Sequence, residues 1–277
     1  MSLRDILVHV DDGPHSEKRF QLALRLARRQ NAELFALFSQ TAPRGLSLTT
    51  RTKEKKKRYK KIAQAVEQRC QDLADKALVN LDWKTARYPR SDEMVTRQLL
   101  HYTQHMDLAI VGQHDPDRSD GTLPHDLAER LVLESGRPIL VIPYAGEFKA
   151  LCRRVMVAWN TGRESVRAVN DAIPLMRDAK KVHILAIDPR KKGKRHGAIP
   201  SADIADHLKR HGIKAHADYL NTRELDPGNT LLSMAADESA DLLVMGAYGH
   251  HPLTEWMLGG VTRDILRHMT VPVLMSH

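Results

Sequence analysis

The chain has 277 residues, 28% of them charged and 42% apolar, a length that suits one large α/β domain or two of ordinary size, each able to bury a core. It has no run of eighteen apolar residues, and its first residues, MSLRDILVHVDD, lack the apolar centre of a signal peptide; no membrane insertion is expected and the chain reads as cytoplasmic. The formal charge of +9 is local, because residues 51–61 carry +7 and residues 190–195 carry +5, which leaves the remainder slightly acidic and argues against a nucleic-acid footprint spread over the whole surface.

Residues 3–10 form an apolar, β-rich run that ends in Asp11-Asp12-Gly13-Pro14, a strand running into a turn. Ser16 is placed to cap a helix in which Phe20, Leu22, Ala23, Leu26 and Ala27 recur at helical spacing. Residues 34–38 read as a second strand, 52–81 as a long helix opening with the basic run, and 83–88 as a third strand. A helix at 93–105, a strand at 107–111, a helix at 127–133 and a strand at 139–143 complete the series.

The series then restarts. Strands at 155–159, 182–187, 214–220, 242–245 and 271–275 alternate with helices at 165–176, 204–211, 230–238 and 261–268. Such alternation predicts parallel sheets with helices on both faces. The chain also matches itself: DLAIVG at 107–112 aligns with DLLVMG at 241–246, an offset that places Pro138 on Pro272 and Ile139 on Val273 without a gap, while Asp11 aligns with Asn160. We therefore expect two copies of one five-stranded domain, at 1–146 and 151–277, joined near residues 144–151.

The last unit of the second copy holds the most informative stretch. An apolar strand ends at Gly246, a loop contains Gly249 and the pair Gly259-Gly260, and a helix begins near Val261. Glycines let backbone N–H groups approach an anion, and the helix start aims its free amides at the same place. The first copy keeps only Gly112; Asp115, His125 and Asp126 stand opposite Gly249, Gly259 and Gly260. With Asp117 and Asp120 nearby, carboxylates occupy the place of a phosphate, and like charges repel, so no phosphate site is expected there.

The spacing Gly246-x2-Gly249-x9-Gly259 resembles that of the universal stress protein family, in which G-x2-G-x9-G-(Ser/Thr) marks members that bind ATP. The Ser/Thr slot here holds Gly260. The resemblance covers nearly the whole chain and implies two tandem parallel-sheet domains of Rossmann-like, adenine nucleotide alpha hydrolase-like fold. It implies ATP, or AMP or ADP, as ligand of the second domain, with Mg as an accompanying ion. By position, Ala158, Asn160 and Ala186 would flank adenine and ribose. Met245, Gly246, Tyr248, Gly249 and His250 would follow the nucleotide toward its phosphates, and Gly259, Gly260, Val261 and Thr262 would supply amides and one hydroxyl. Asn160 reads equally as a turn residue, and Thr262 as a first-turn helix residue. In single-domain members two chains pair through their last strands, so the resemblance implies an internal pseudo-dimer here, with association into a homodimer left open.

A stress-response regulatory module that binds an adenine nucleotide is thus the leading expectation. A slow ATPase at the same loop is an alternative for which only Asp188 and Glu255 offer nearby carboxylates; a scaffold without nucleotide is another. No P-loop, GxSxG or GxGxxG motif occurs, and no catalytic residue is assigned. The histidine pairs 101/105, 207/211 and 250/251 lack an HExxH context or a third ligand, and Cys70 and Cys152 have no metal-like spacing, so no metal site is expected and a reducing compartment fits. The basic runs would attract an anionic nucleotide, lipid or nucleic acid, but only Tyr59 interleaves them as a stacking surface, and they read first as solvated surface.

Overall fold

The computed structural model describes residues 2–41, 52–117, 123–148, 150–187, 201–220, 226–248 and 260–277. Contacts divide the chain into two compact units, Ser2–Glu147 and Phe148–His277. The first unit contains β1 (Asp5–Val10), α1 (Ser16–Gln30), β2 (Glu33–Phe38), α2 (Thr52–Ala77), β3 (Leu81–Thr85), α3 (Asp92–Thr103), β4 (Leu108–Gly112), α4 (Leu127–Glu134) and β5 (Ile139–Ile142). The second contains β6 (Arg154–Ala158), α5 (Arg163–Met176), β7 (Lys181–Ile187), α6 (Ala202–Arg210), β8 (Ala215–Leu220), α7 (Pro227–Asp237), β9 (Leu242–Gly246), α8 (Gly260–His268) and β10 (Val273–Ser276).

Each unit is an α/β domain with a parallel sheet. The strand order is β3-β2-β1-β4-β5 in the first and β8-β7-β6-β9-β10 in the second. Most strands are apolar at nearly every residue because helices cover the faces of the sheet; β4, β5 and β10 are buried throughout. The terminal strands β3 and β8 are by contrast partly exposed, with Ala217 their one buried residue. Register carries the internal repeat into three dimensions, since Ile6 lies opposite Leu108 and Val155 opposite Leu242, the same pair of aligned positions.

Local chemistry moves several expected boundaries. The helix expected over 52–81 ends at Ala77, because Leu78 adopts φ +54° and Val79 N–H donates back to the Ala74 carbonyl. The third strand lies earlier than 83–88, because its partner β2 ends at Phe38, opposite Thr85. Ser16 does not cap α1: its Oγ accepts from the Asp11 N–H at 3.0 Å, and the cap position belongs to His15. Ser91 caps α3 by accepting from Met94 N–H. Asp226 caps α7, with Pro227 at its first position, which starts that helix ahead of the expected residue 230.

Candidate functional site

In the second unit the chain moves outward from β6 to β7 and β8, then returns to the other flank of β6 with β9. Such a reversal leaves a crevice beyond the carboxyl ends of the strands, because connections on its two sides depart toward opposite faces. A cavity of about 230 Å³ lies there. Ala158, Trp159 and Asn160 reach it from the end of β6, Leu185 and Ile187 from β7, and Met245, Gly246 and Tyr248 from β9. Ser165 of α5, Pro227 and Leu231 of α7, and the first three residues of α8 complete the wall.

The local geometry follows from a few residues. Asn160 Oδ1 accepts the Gly162 N–H at 2.9 Å, an Asx turn that ends β6 and launches α5. A Cβ on Gly246 would collide with the backbone nitrogen of Ser165 and lie 2.8 Å from Glu164 Cβ, so β9 can pass beneath the first turn of α5 only with glycine there. Behind that turn Glu164 is buried; burial pushes its carboxyl up, but the Arg163 guanidinium at 2.7 Å outweighs this and holds it below the usual range. Tyr248 takes φ +56°, and its N–H donates to Thr262 Oγ1 at 3.3 Å, tying the exit of β9 to the start of α8. None of the described residues lining the cavity is charged. Its polarity comes from helix starts, above all the amides of Gly260, Val261 and Thr262, which precede the first intrahelical acceptors.

Of the residues expected at the site, Ala158, Asn160, Met245, Gly246, Tyr248, Gly260, Val261 and Thr262 line the cavity together. Ala186 does not: it is buried in β7 between Leu185 and Ile187, and strand alternation turns it to the other face. Gly249, His250 and Gly259 lie outside the described residues, as do Asp120, Asp188, Glu255 and residues 190–195. Two of the lining residues also have structural roles. Gly246 serves helix–strand packing, and the Thr262 hydroxyl oxygen is engaged by Tyr248. Arg263 is exposed and does not line the cavity. The rings of His207 and His211 approach to 4.8 Å and those of His101 and His105 to 6.2 Å, yet among the described residues no group of three potential ligands is placed to hold a metal ion.

Residues 152–277 match the model of the universal stress protein family. The C-terminal half belongs to that family. Over 98% of its length the chain is similar in fold to a universal stress protein from Archaeoglobus fulgidus DSM 4304, with a TM-score of 0.74, 16% identity and 95% of that chain covered. A putative universal stress protein from Pseudomonas aeruginosa UCBPP-PA14 is similar over 99% of this chain and 93% of its own, with a TM-score of 0.59 and 15% identity. No curated protein matches the chain in sequence. At these identities the likeness to solved structures is one of fold.

The first unit has the same fold, but the strand ends that border the cavity in the universal stress protein domain are occupied by side chains. His9 stands where the second unit has Ala158, and Arg19 where it has Ala168. Both are buried, and so is Asp11, the counterpart of Asn160. Arg19 Nη2 donates to Asp11 Oδ2 at 2.7 Å and Nε to the His9 carbonyl at 2.8 Å, and a Cβ on Gly112 would collide with the guanidinium. His9 Nε2 lies 2.6 Å from the Ser39 carbonyl; burial, then the Arg19 charge, lower its pKa to about 4, so the ring is neutral and donates. Burial alone would raise the Asp11 carboxyl, but Arg19 brings it below the usual carboxylate range. Of the acids expected near that place, Asp115 contacts His15 at 3.1 Å, and the strand ends themselves are filled by an arginine–aspartate pair and an imidazole. The pattern was available in the alignment of Asp11 with Asn160, which also sets His9 on Ala158 and Arg19 on Ala168.

Proposed function

We propose that the C-terminal half is the ligand-sensing part of this protein. Its cavity takes ATP or a related adenine nucleotide, and the bound nucleotide acts as a signal in a stress response rather than as a substrate to be consumed. One observation carries the reading: an open cavity at the strand-order reversal, apolar toward β6, β7 and β9 and bounded by the start of α8. The apolar side suits a base, and free helix amides suit phosphate oxygens. The residues fit such a ligand at Gly260 as well, since among the described residues a Cβ there would meet nothing within 4 Å. The described lining residues supply no carboxylate, so a divalent ion would arrive with the phosphates it neutralises.

The test is direct. Adenine absorbance in the acid-released extract of purified protein, together with thermal unfolding in ATP and in GTP, reads both occupancy and base preference. At a hundredfold excess over Kd, ATP is expected to add about 2.7 kcal/mol of stability. An extract without adenine and a melting curve unmoved by ATP, ADP or AMP would overturn the reading.

A further inference from the structure

The first unit carries a second cavity, of about 880 Å³, between the basic part of α2 and the segment that connects β3 to α3. It is separate from the strand-end crevice filled by His9 and Arg19. Two cations enter it from each wall: Lys56 and Lys60 from successive positions on one face of α2, and Arg87 and Arg90 from the β3–α3 connection. All four are exposed, and among the described residues none has an ion-pair partner; of the described lining residues a single one, Glu67, carries a carboxylate.

The walls are built rather than incidental. Ser39 Oγ donates to Gln98 Oε1 at 2.8 Å, and Gln98 Nε2 donates to the Arg87 carbonyl at 2.8 Å, which fixes the connection against the sheet. Tyr59 is buried between the rings of Phe38 and Tyr88, at centroid distances of 5.2 and 5.4 Å, and its hydroxyl donates to the Phe38 carbonyl. Four like charges gathered on one concavity repel one another, and a counter-charge held between them relieves that repulsion.

We propose that this cavity binds a small, multiply charged anion, a polyphosphate or a polycarboxylate, gripped between the two lysines and the two arginines. A single-stranded nucleic acid is the less favoured occupant, because it needs open ring faces for its bases, and Tyr59, the one aromatic residue interleaved in the basic run, spends its ring on Phe38 and Tyr88. The volume lies within the range of small-molecule pockets, and paired arginines match the oxygens of phosphate and carboxylate groups.

Calorimetric titration of the full chain with inorganic tripolyphosphate, and separately with citrate, tests the proposal and distinguishes the two sources. The protein would carry Ala158→His, so that binding at the C-terminal cavity is weakened and separable from the site under test. One site per chain is expected, and Lys60→Glu/Arg87→Glu raises its Kd at least fiftyfold; since these side chains are exposed, the circular dichroism melt stays unchanged. If that pair unfolds, Lys56→Ala/Arg90→Ala gives the same reading with at least a tenfold rise. Absence of binding by either anion, or a Kd within threefold of the parent in both variants, overturns the proposal. So does a twenty-nucleotide single-stranded DNA that binds through these four residues while both small anions fail.

Discussion

The two units share a strand order and a register, yet they treat the same strand ends in opposite ways. In the first, His9, Asp11 and Arg19 form a buried, hydrogen-bonded cluster over Gly112. In the second, Ala158, Asn160 and Ala168 stand at those positions, and a cavity remains beside Gly246. The comparison teaches that the glycine spacing is only half of what keeps the strand ends open. The other half is the volume of the side chains at the strand ends, and there one domain places large groups where the other places methyls.

Breaking the filled half should give the largest effect. Arg19→Ala leaves Asp11 buried without its cation, and truncating one partner of such a pair costs about 3–5 kcal/mol, to be read from urea unfolding of the first unit's transition. A loss under 1 kcal/mol would mean that the pair is not what holds the strand ends closed.

The same cluster predicts a pH dependence of its own. His9 has a pKa of about 4 in the folded chain against 6.5 unfolded, so between these values the unfolded state binds more protons. Stability therefore falls as pH drops from 6.5 to 4, by about 3 kcal/mol at ~1.4 kcal/mol per pKa unit, and then levels off for this group. Asp11, whose folded pKa is depressed, contributes stability that is lost only as the pH falls below the ordinary carboxylate range. Urea midpoints measured across pH 4–7 should flatten in His9→Gln. The second unit, with Ala158 and Asn160 at these positions, has no such groups to titrate.

Two substitutions then sharpen the open half. Ala158→His copies the first unit into the second and should raise the Kd for ATP at least tenfold, about 1.4 kcal/mol, in a calorimetric titration. Gly260→Ser adds a hydroxyl at the start of α8, where none of the described residues stands within 4 Å of its Cβ and an added hydrogen bond to phosphate is worth about 0.5–1.5 kcal/mol. ATP should bind about three- to tenfold more tightly, and weaker binding would argue that the phosphates lie elsewhere.

Most of the architecture was legible because parallel strands covered on both faces leave near-continuous apolar runs, such as residues 107–112 and 241–246, and because the chain repeats itself. What eluded the pattern lay where tertiary contacts decide. The limits of the third strand escape the pattern because a terminal strand takes them from its neighbour β2. Ser16 looked like a cap, but it is drawn to the Asp11 amide in the preceding turn. At the site, strand-end and helix-start residues were readable by position, whereas Ser165, Pro227 and Leu231 reach the cavity only through helix packing. The spacing marks Gly246 for its freedom near an anion, but the close passage of β9 beneath α5, which also demands glycine there, is revealed by no spacing.

The central claim, that one half is open to nucleotide and the other closed, comes down to stoichiometry. Equilibrium dialysis of labelled ATP against the full chain carrying Lys60→Glu/Arg87→Glu, which removes the basic cavity from the count, should give one nucleotide per chain, lost on adding Ala158→His. Two nucleotides per chain, none, or one that persists with Ala158→His would contradict it.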